Sequence, residues 1–113
     1  MKKMSVEALE REYERLRKSL MKIGYISQGS VLDRSTLKTP RSGYQWTRKI
    51  AQKTITVALS PEQFASLKVA IQNRKELGRA IAQMEKISRQ ILFKTLPDTQ
   101  RRKPLTSKVL GVN

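Results

Sequence analysis

No proline interrupts the chain between Pro61 and Pro97, and the residues that open this interval are the ones that begin helices. Ser60 stands where an N-cap is needed. Pro61 follows at the first helical position, where its fixed φ suits the helix and its missing N–H leaves nothing unpaired. Glu62 lies beside the positive end of the helix dipole, and Gln63 stands three residues after the cap, completing a capping box. The pattern predicts one helix from Pro61 to about Leu96, roughly 50 Å long at 1.5 Å per residue. Phe64, Leu67, Ala70 or Ile71, Leu77, Ile81, Met84, Ile87 or Ser88, and Ile91 form its apolar stripe, interrupted at Arg74 and at Gly78, a point for a kink or a close contact. In a chain of 113 residues such an element dictates the rest: other segments must cover the stripe, or a second chain must.

The N-terminal segment supplies one partner. Val6, Leu9, Tyr13, Leu16, Leu20 and Ile23 are spaced 3, 4, 3, 4, 3, a heptad seam, and Ser5 is placed to cap a helix over 5–23. Four Glu precede residue 15, and Arg15, Arg17, Lys18 and Lys22 follow, as the helix dipole favours. The seam is too short for an independent coiled coil, so it packs on the long helix of its own or a neighbouring chain. Leu9, Leu16 and Leu20 are the expected core, and Gly24 the expected stop.

From Gly24 to Ser60 the period shifts from 3.6 towards 2. Tyr25 to Leu32 predicts a short strand around Gly29, and Asp33 to Ser42 a mobile basic loop carrying Arg34, Lys38 and Arg41. Tyr44, Trp46 and Ile50 share one parity; Ile55, Val57 and Leu59 share another. Strands over 43–50 and 53–59 therefore form a hairpin across Ala51-Gln52, a turn without the usual Asn-Gly signal. Residues 97–113, with two prolines, the cluster Arg101-Arg102-Lys103 and no helical period, predict a disordered basic tail. The fold expected is α+β: an N-terminal helix, a small antiparallel sheet or hairpin, a long C-terminal helix and that tail, with 1–96 as one domain.

Charge narrows the function. Lys and Arg number 24 against nine Asp and Glu, a net charge of +15. Such an excess repels itself, and a polyanion that sheds condensed counterions on binding accounts for it. Residues 24–60 are the most one-sided stretch, with six cations and Asp33 as the sole acid. The chain has no Cys and no His, which removes disulfides, thiol chemistry, Cys/His zinc sites and the usual neutral-pH general base. No phosphate loop or nucleophile motif is present, and the glutamates of the first helix alternate with cations rather than cluster at metal spacing. The expectations are no catalytic residue, no metal and no cofactor. No apolar run is long enough to span a membrane and the opening Met1-Lys2-Lys3-Met4 is no signal peptide, so a cytoplasmic, intracellular location is expected.

The candidate nucleic-acid-binding residues are Lys38, Arg41, Tyr44, Gln45, Trp46, Thr47, Arg48, Lys49 and Lys53, with Arg101, Arg102 and Lys103 as a basic arm. Cations of this kind neutralise phosphates, Gln45 and Thr47 can bond to phosphates or base edges, and an exposed aromatic can stack on an unpaired base. Trp46, the single tryptophan, has a competing use as the core anchor of the hairpin against the long helix.

The stretch Gly43-Tyr44-Gln45-Trp46-Thr47-Arg48-Lys49 followed by Lys53-Thr54-Ile55-Thr56-Val57-Ala58-Leu59-Ser60-Pro61-Glu62-Gln63 resembles a family of small basic proteins of uncharacterised function encoded beside transposases in mobile elements. The resemblance covers roughly residues 25 to 90. It implies an accessory role near DNA and supplies no catalytic residues. The expected function is non-catalytic nucleic-acid binding, DNA favoured over RNA, with a transposase or other larger protein as partner and homo-oligomers as a further possibility. The alternative is an adaptor whose helical seams bind protein while its charge docks on RNA or an acidic surface.

Overall fold

The computed structural model describes residues 4 to 111; the expectations for Met1-Lys2-Lys3 and for the last two tail residues lie outside them. The fold is α+β, with helix α1 (Val6–Leu20), strands β1 (Ser30–Asp33), β2 (Tyr44–Ile50) and β3 (Lys53–Leu59), the long helix α2 (Pro61–Thr95) and a short helix α3 (Ser107–Leu110). The chain forms two compact units, one from the residues up to Lys22 together with those from Gly78 onward, the other Ile23–Leu77.

In the first unit, Ser5 caps α1 by accepting a hydrogen bond from the Ala8 N–H at 3.2 Å. Arg15 pairs with Glu12, and Arg17 with Glu14 at 3.0 Å, on its exposed side. Leu9, Leu16 and Ile87 are 1%, 8% and 2% exposed and form the core, flanked by Tyr13, Ala80, Met84 and Ile91. Leu20 differs from expectation: it is only half-buried and lines an open groove with Tyr13, Ile81 and Met84. The reason is local. The helix ends at Leu20 rather than Ile23, because the Met21 and Lys22 N–H groups turn back to the Lys18 and Ser19 carbonyls, a tightened last turn. Gly24 is not a left-handed cap either; a Cβ there would sit 3.4 Å from the Asn73 amide nitrogen.

Residues 96–106 carry no helix or strand. Arg101 pairs with Asp98 and its guanidinium lies 5.6 Å from the centre of the Phe93 ring. Thr106 caps α3, Gly111 ends it in the left-handed region at φ 72°, and Arg89 donates to the Leu110 carbonyl.

The second unit is built on the start of α2. The capping box forms as the sequence predicts: the Gln63 N–H donates to Ser60 Oγ at 3.1 Å, and the Ser60 N–H donates to Gln63 Oε1 at 2.9 Å. The helix is 35 residues long. Ala70 and Ile71 are buried, and Phe64 stacks on Tyr44 with ring centres 4.4 Å apart. Expected strand pairing over residues 25–29 is replaced by bonds to α2, the Ser27 N–H donating to the Ala70 carbonyl and Asn73 Nδ2 to the Tyr25 carbonyl. Only Ser30–Asp33 joins the ladder.

Candidate nucleic-acid interface

The sheet is antiparallel in the order β1-β2-β3. Its register pairs Ser30 with Thr47, Val31 with Trp46 and Asp33 with Tyr44 on one side of β2. On the other side it pairs Tyr44 with Leu59, Trp46 with Val57, Thr47 with Thr56, Arg48 with Ile55 and Lys49 with Thr54. Directly paired residues share a face and successive residues alternate, so the register assigns every side chain. One face carries Val31, Asp33, Tyr44, Trp46, Arg48, Ile50, Lys53, Ile55, Val57 and Leu59. Because Tyr44 stacks on Phe64, this is the face that α2 approaches. Towards the hairpin it is uncovered, and Ile50, Ile55 and Val57 are exposed there.

The opposite face, called the open face below, carries Ser30, Leu32, Gln45, Thr47, Lys49, Thr54, Thr56 and Ala58. None of these is buried; Leu32, Gln45 and Thr47 are half-buried and the others exposed. Ser30 and Thr47 join hydroxyls at 3.1 Å across the strands. The open face has hydroxyls, an amide and a lysine, and no carboxylate.

Two local devices fix the frame. Ala51 and Gln52 both adopt left-handed backbone, φ 48° and 68°, and join Ile50 to Lys53 in a two-residue hairpin. This is the primed turn that matches strand twist, here made without glycine or asparagine. Gly29 has φ 105°, and a Cβ on it would lie 2.5 Å from both the Thr47 carbonyl oxygen and Trp46 Nε1. The glycine therefore lets the indole close over the entry to β1, where Trp46 Nε1 donates to the Gln28 carbonyl at 3.0 Å. Trp46 is half-buried by this contact, and the aromatic that stacks on the long helix is its neighbour Tyr44.

The Asp33–Ser42 segment is held by hydrogen bonds. Residues Arg34–Thr36 form a 3-10 turn capped by Asp33, whose carboxylate accepts from the Ser35 N–H and hydroxyl at 2.9 and 2.7 Å. The Ser35 hydroxyl, and then its N–H, hold the Asp33 carboxyl below the usual range, so the one acid of residues 24–60 is anionic near neutral pH and committed to the turn. Arg34 is pinned by its backbone, donating to Gly43 and accepting from Leu37 and Arg41. Its Nε donates to Gln45 Oε1 at 3.2 Å, which puts a guanidinium at the rim of the open face.

The sequence candidates are thus distributed. Gln45, Thr47 and Lys49 come together on the open face. Tyr44, Trp46, Arg48 and Lys53 lie on the other. Lys38 and Arg41 are exposed on the connection between β1 and β2. Arg101, Arg102 and Lys103 belong to the other compact unit, and Arg101 is occupied by Asp98 and Phe93. Arg34, Thr54 and Thr56 belong to the open face without having been singled out in the sequence. Parity from Thr47 could have found the two threonines. The Arg34–Gln45 bond crosses between elements and has no sequence signature.

Among the described residues, no three His, Cys, Asp or Glu side chains come together as a metal site, and no helix is long and apolar enough to cross a membrane. No family model, curated protein or solved structure matches the chain.

Proposed function

We propose that this chain is a non-catalytic nucleic-acid-binding protein that docks on duplex DNA through the open face of its sheet, as an accessory to a larger mobile-element or nucleoprotein machine. The observation that carries the reading is the carboxylate-free open face, where Ser, Thr, Gln and Lys side chains stand beside Leu32 and Ala58, in a chain of net charge +15. Short hydroxyls let backbone come close to a partner, and cations supply the counterion-release term that dominates affinity for nucleic acid. The open face has no aromatic side chain, and Tyr44 is engaged by Phe64, which favours a duplex over unpaired bases that need a stacking platform. The mobile-element setting rests on the resemblance of residues 43–63.

One observation favours the adaptor reading: exposed Ile50, Ile55 and Val57 on the other face offer apolar surface to a protein. The α1 seam offers less, since Leu9 and Leu16 are already buried within the chain.

The test is binding to matched duplex DNA, duplex RNA and single strands across a salt series. The expected result is tightest binding to duplex DNA, with log affinity falling linearly against log salt. Absence of binding to every nucleic acid at about 50 mM salt, where such electrostatics are strong, would overturn the proposal.

A further inference from the structure

Resting on the proposed DNA-binding role, we infer that the open face enters the major groove and that the Arg34–Gln45 pair reads guanine there. The dimensions fit first. The two strands beside the pair, β1 and β2, are spaced about 4.8 Å apart and form a two-stranded ribbon, which a major groove about 12 Å wide admits and a minor groove of about 6 Å does not. The side chains that β3 carries on this face, Thr54, Thr56 and Ala58, are short, so the third strand can lie along the groove wall beside the other two.

The hydrogen-bonding character of the pair then selects a base. Arg34 Nε is committed to Gln45 Oε1, which takes up one of the two lone pairs of the amide oxygen and leaves its two N–H donors free. The guanidinium keeps the N–H groups of both terminal nitrogens and has no acceptor. Together they form an array dominated by donors, with the second lone pair of Oε1 as its one acceptor. Guanine alone presents two adjacent acceptors, N7 and O6, in the major groove; adenine pairs an acceptor with a donor, cytosine offers a donor, and thymine sets a methyl group beside its single acceptor.

The pair is also held in advance of binding. The Arg34 backbone makes three hydrogen bonds, to Gly43, Leu37 and Arg41. A Cβ on Gly43 would lie 3.3 Å from Arg34 Nη1, so the glycine leaves the space the guanidinium passes through. Arg34 forms no ion pair among the described residues, and Asp33 next to it is spent on Ser35. Little side-chain entropy remains to be lost when the fork meets a base.

The test uses the full chain with a G·C-rich duplex, the same duplex carrying 7-deazaguanine, and one carrying inosine. 7-Deazaguanine removes the N7 acceptor from the major groove, whereas inosine removes the amino group from the minor groove. The expected result is an affinity loss of about 5-fold or more with 7-deazaguanine, the scale of part of a bidentate base contact, and little change with inosine. Arg34→Lys keeps the charge but loses the fork; it should retain binding and cease to distinguish guanine from 7-deazaguanine. Gln45→Leu, with its fold checked by circular dichroism, should weaken the discrimination in the same direction. Tight binding that ignores 7-deazaguanine, or a loss confined to inosine, overturns the major-groove inference and leaves DNA binding standing. Failure to bind any of the duplexes sinks DNA binding itself.

Discussion

Lys49 stands on the open face and Arg48 and Lys53 on the other, so charge removal can decide which side of the sheet meets the polyanion. If the open face docks, Lys49→Gln removes one phosphate contact and lowers the magnitude of the salt slope by about 0.9. Across a four-fold range of salt, from about 50 to 200 mM, the wild type should then lose about 3.5-fold more affinity than this variant. The double variant Arg48→Gln, Lys53→Gln removes twice the charge but from the far side of the sheet. Side chains on opposite faces are separated by about a Debye length, roughly 10 Å at 0.1 M salt, so the double variant should leave the slope nearly unchanged. The expected order is the reverse of what net charge alone dictates, and this makes the comparison sharp. All three side chains are exposed and none forms an ion pair among the described residues, so neither variant should disturb the fold. Fluorescence anisotropy with a labelled duplex, repeated over the salt series, gives the slopes. A larger slope change in the double variant would refute the open-face assignment and move the contact to the surface around Ile55 and Val57.

Two further predictions concern the frame of the site. Replacing Ala51-Gln52 by Asn-Gly relieves left-handed backbone at two positions, each costing about 1 kcal/mol for an ordinary residue; the double variant should be more stable by about 1 to 2 kcal/mol in denaturant unfolding followed by Trp46 fluorescence, and a loss of stability would show that the turn is not of the primed type. Gly29→Ala should destabilise by about 2 to 4 kcal/mol, combining backbone strain with loss of the Trp46–Gln28 hydrogen bond, and should expose the indole to water; an effect within about 0.5 kcal/mol would mean that the indole does not close over that glycine.

The architecture was legible where local chemistry and periodicity agreed. Ser60 to Gln63 announced the long helix because the capping box is made entirely by residues within three positions of one another. The α1 seam was legible at Leu9 and Leu16, which are packed from the middle of the helix, and not at Leu20, where the last turn tightens. The segment before β1 reads as strand because Tyr25 and Ile26 have strand propensity. It is not strand because its polar backbone is satisfied by Ala70 and Asn73 of α2, a pairing between residues more than 40 positions apart. Propensity is overridden there by tertiary hydrogen bonding.

The site was legible as a stretch of chain and not as a surface. Composition locates the basic excess in residues 24–60, and alternation divides that stretch between two faces, but which face a partner can reach depends on where α2 lies. Phe64 on Tyr44 decides that, and no pattern within β2 contains it. The same contact changes the role of the aromatics: a tyrosine and a tryptophan among cations suggest stacking on bases, yet Tyr44 is taken up by the helix and Trp46 by the Gly29 entry. What stays available is a surface of small hydroxyls beside a donor-rich pair. Arg34, read in sequence as one cation of a mobile loop, becomes a group of fixed direction because Asp33, Gly43 and Gln45 converge on its turn. On the proposed reading, the phosphate-neutralising charge and the base-directed donors of this surface sit on different residues, Lys49 and Arg34. Affinity and sequence preference should therefore be separable by mutation, which a diffuse basic patch would not permit.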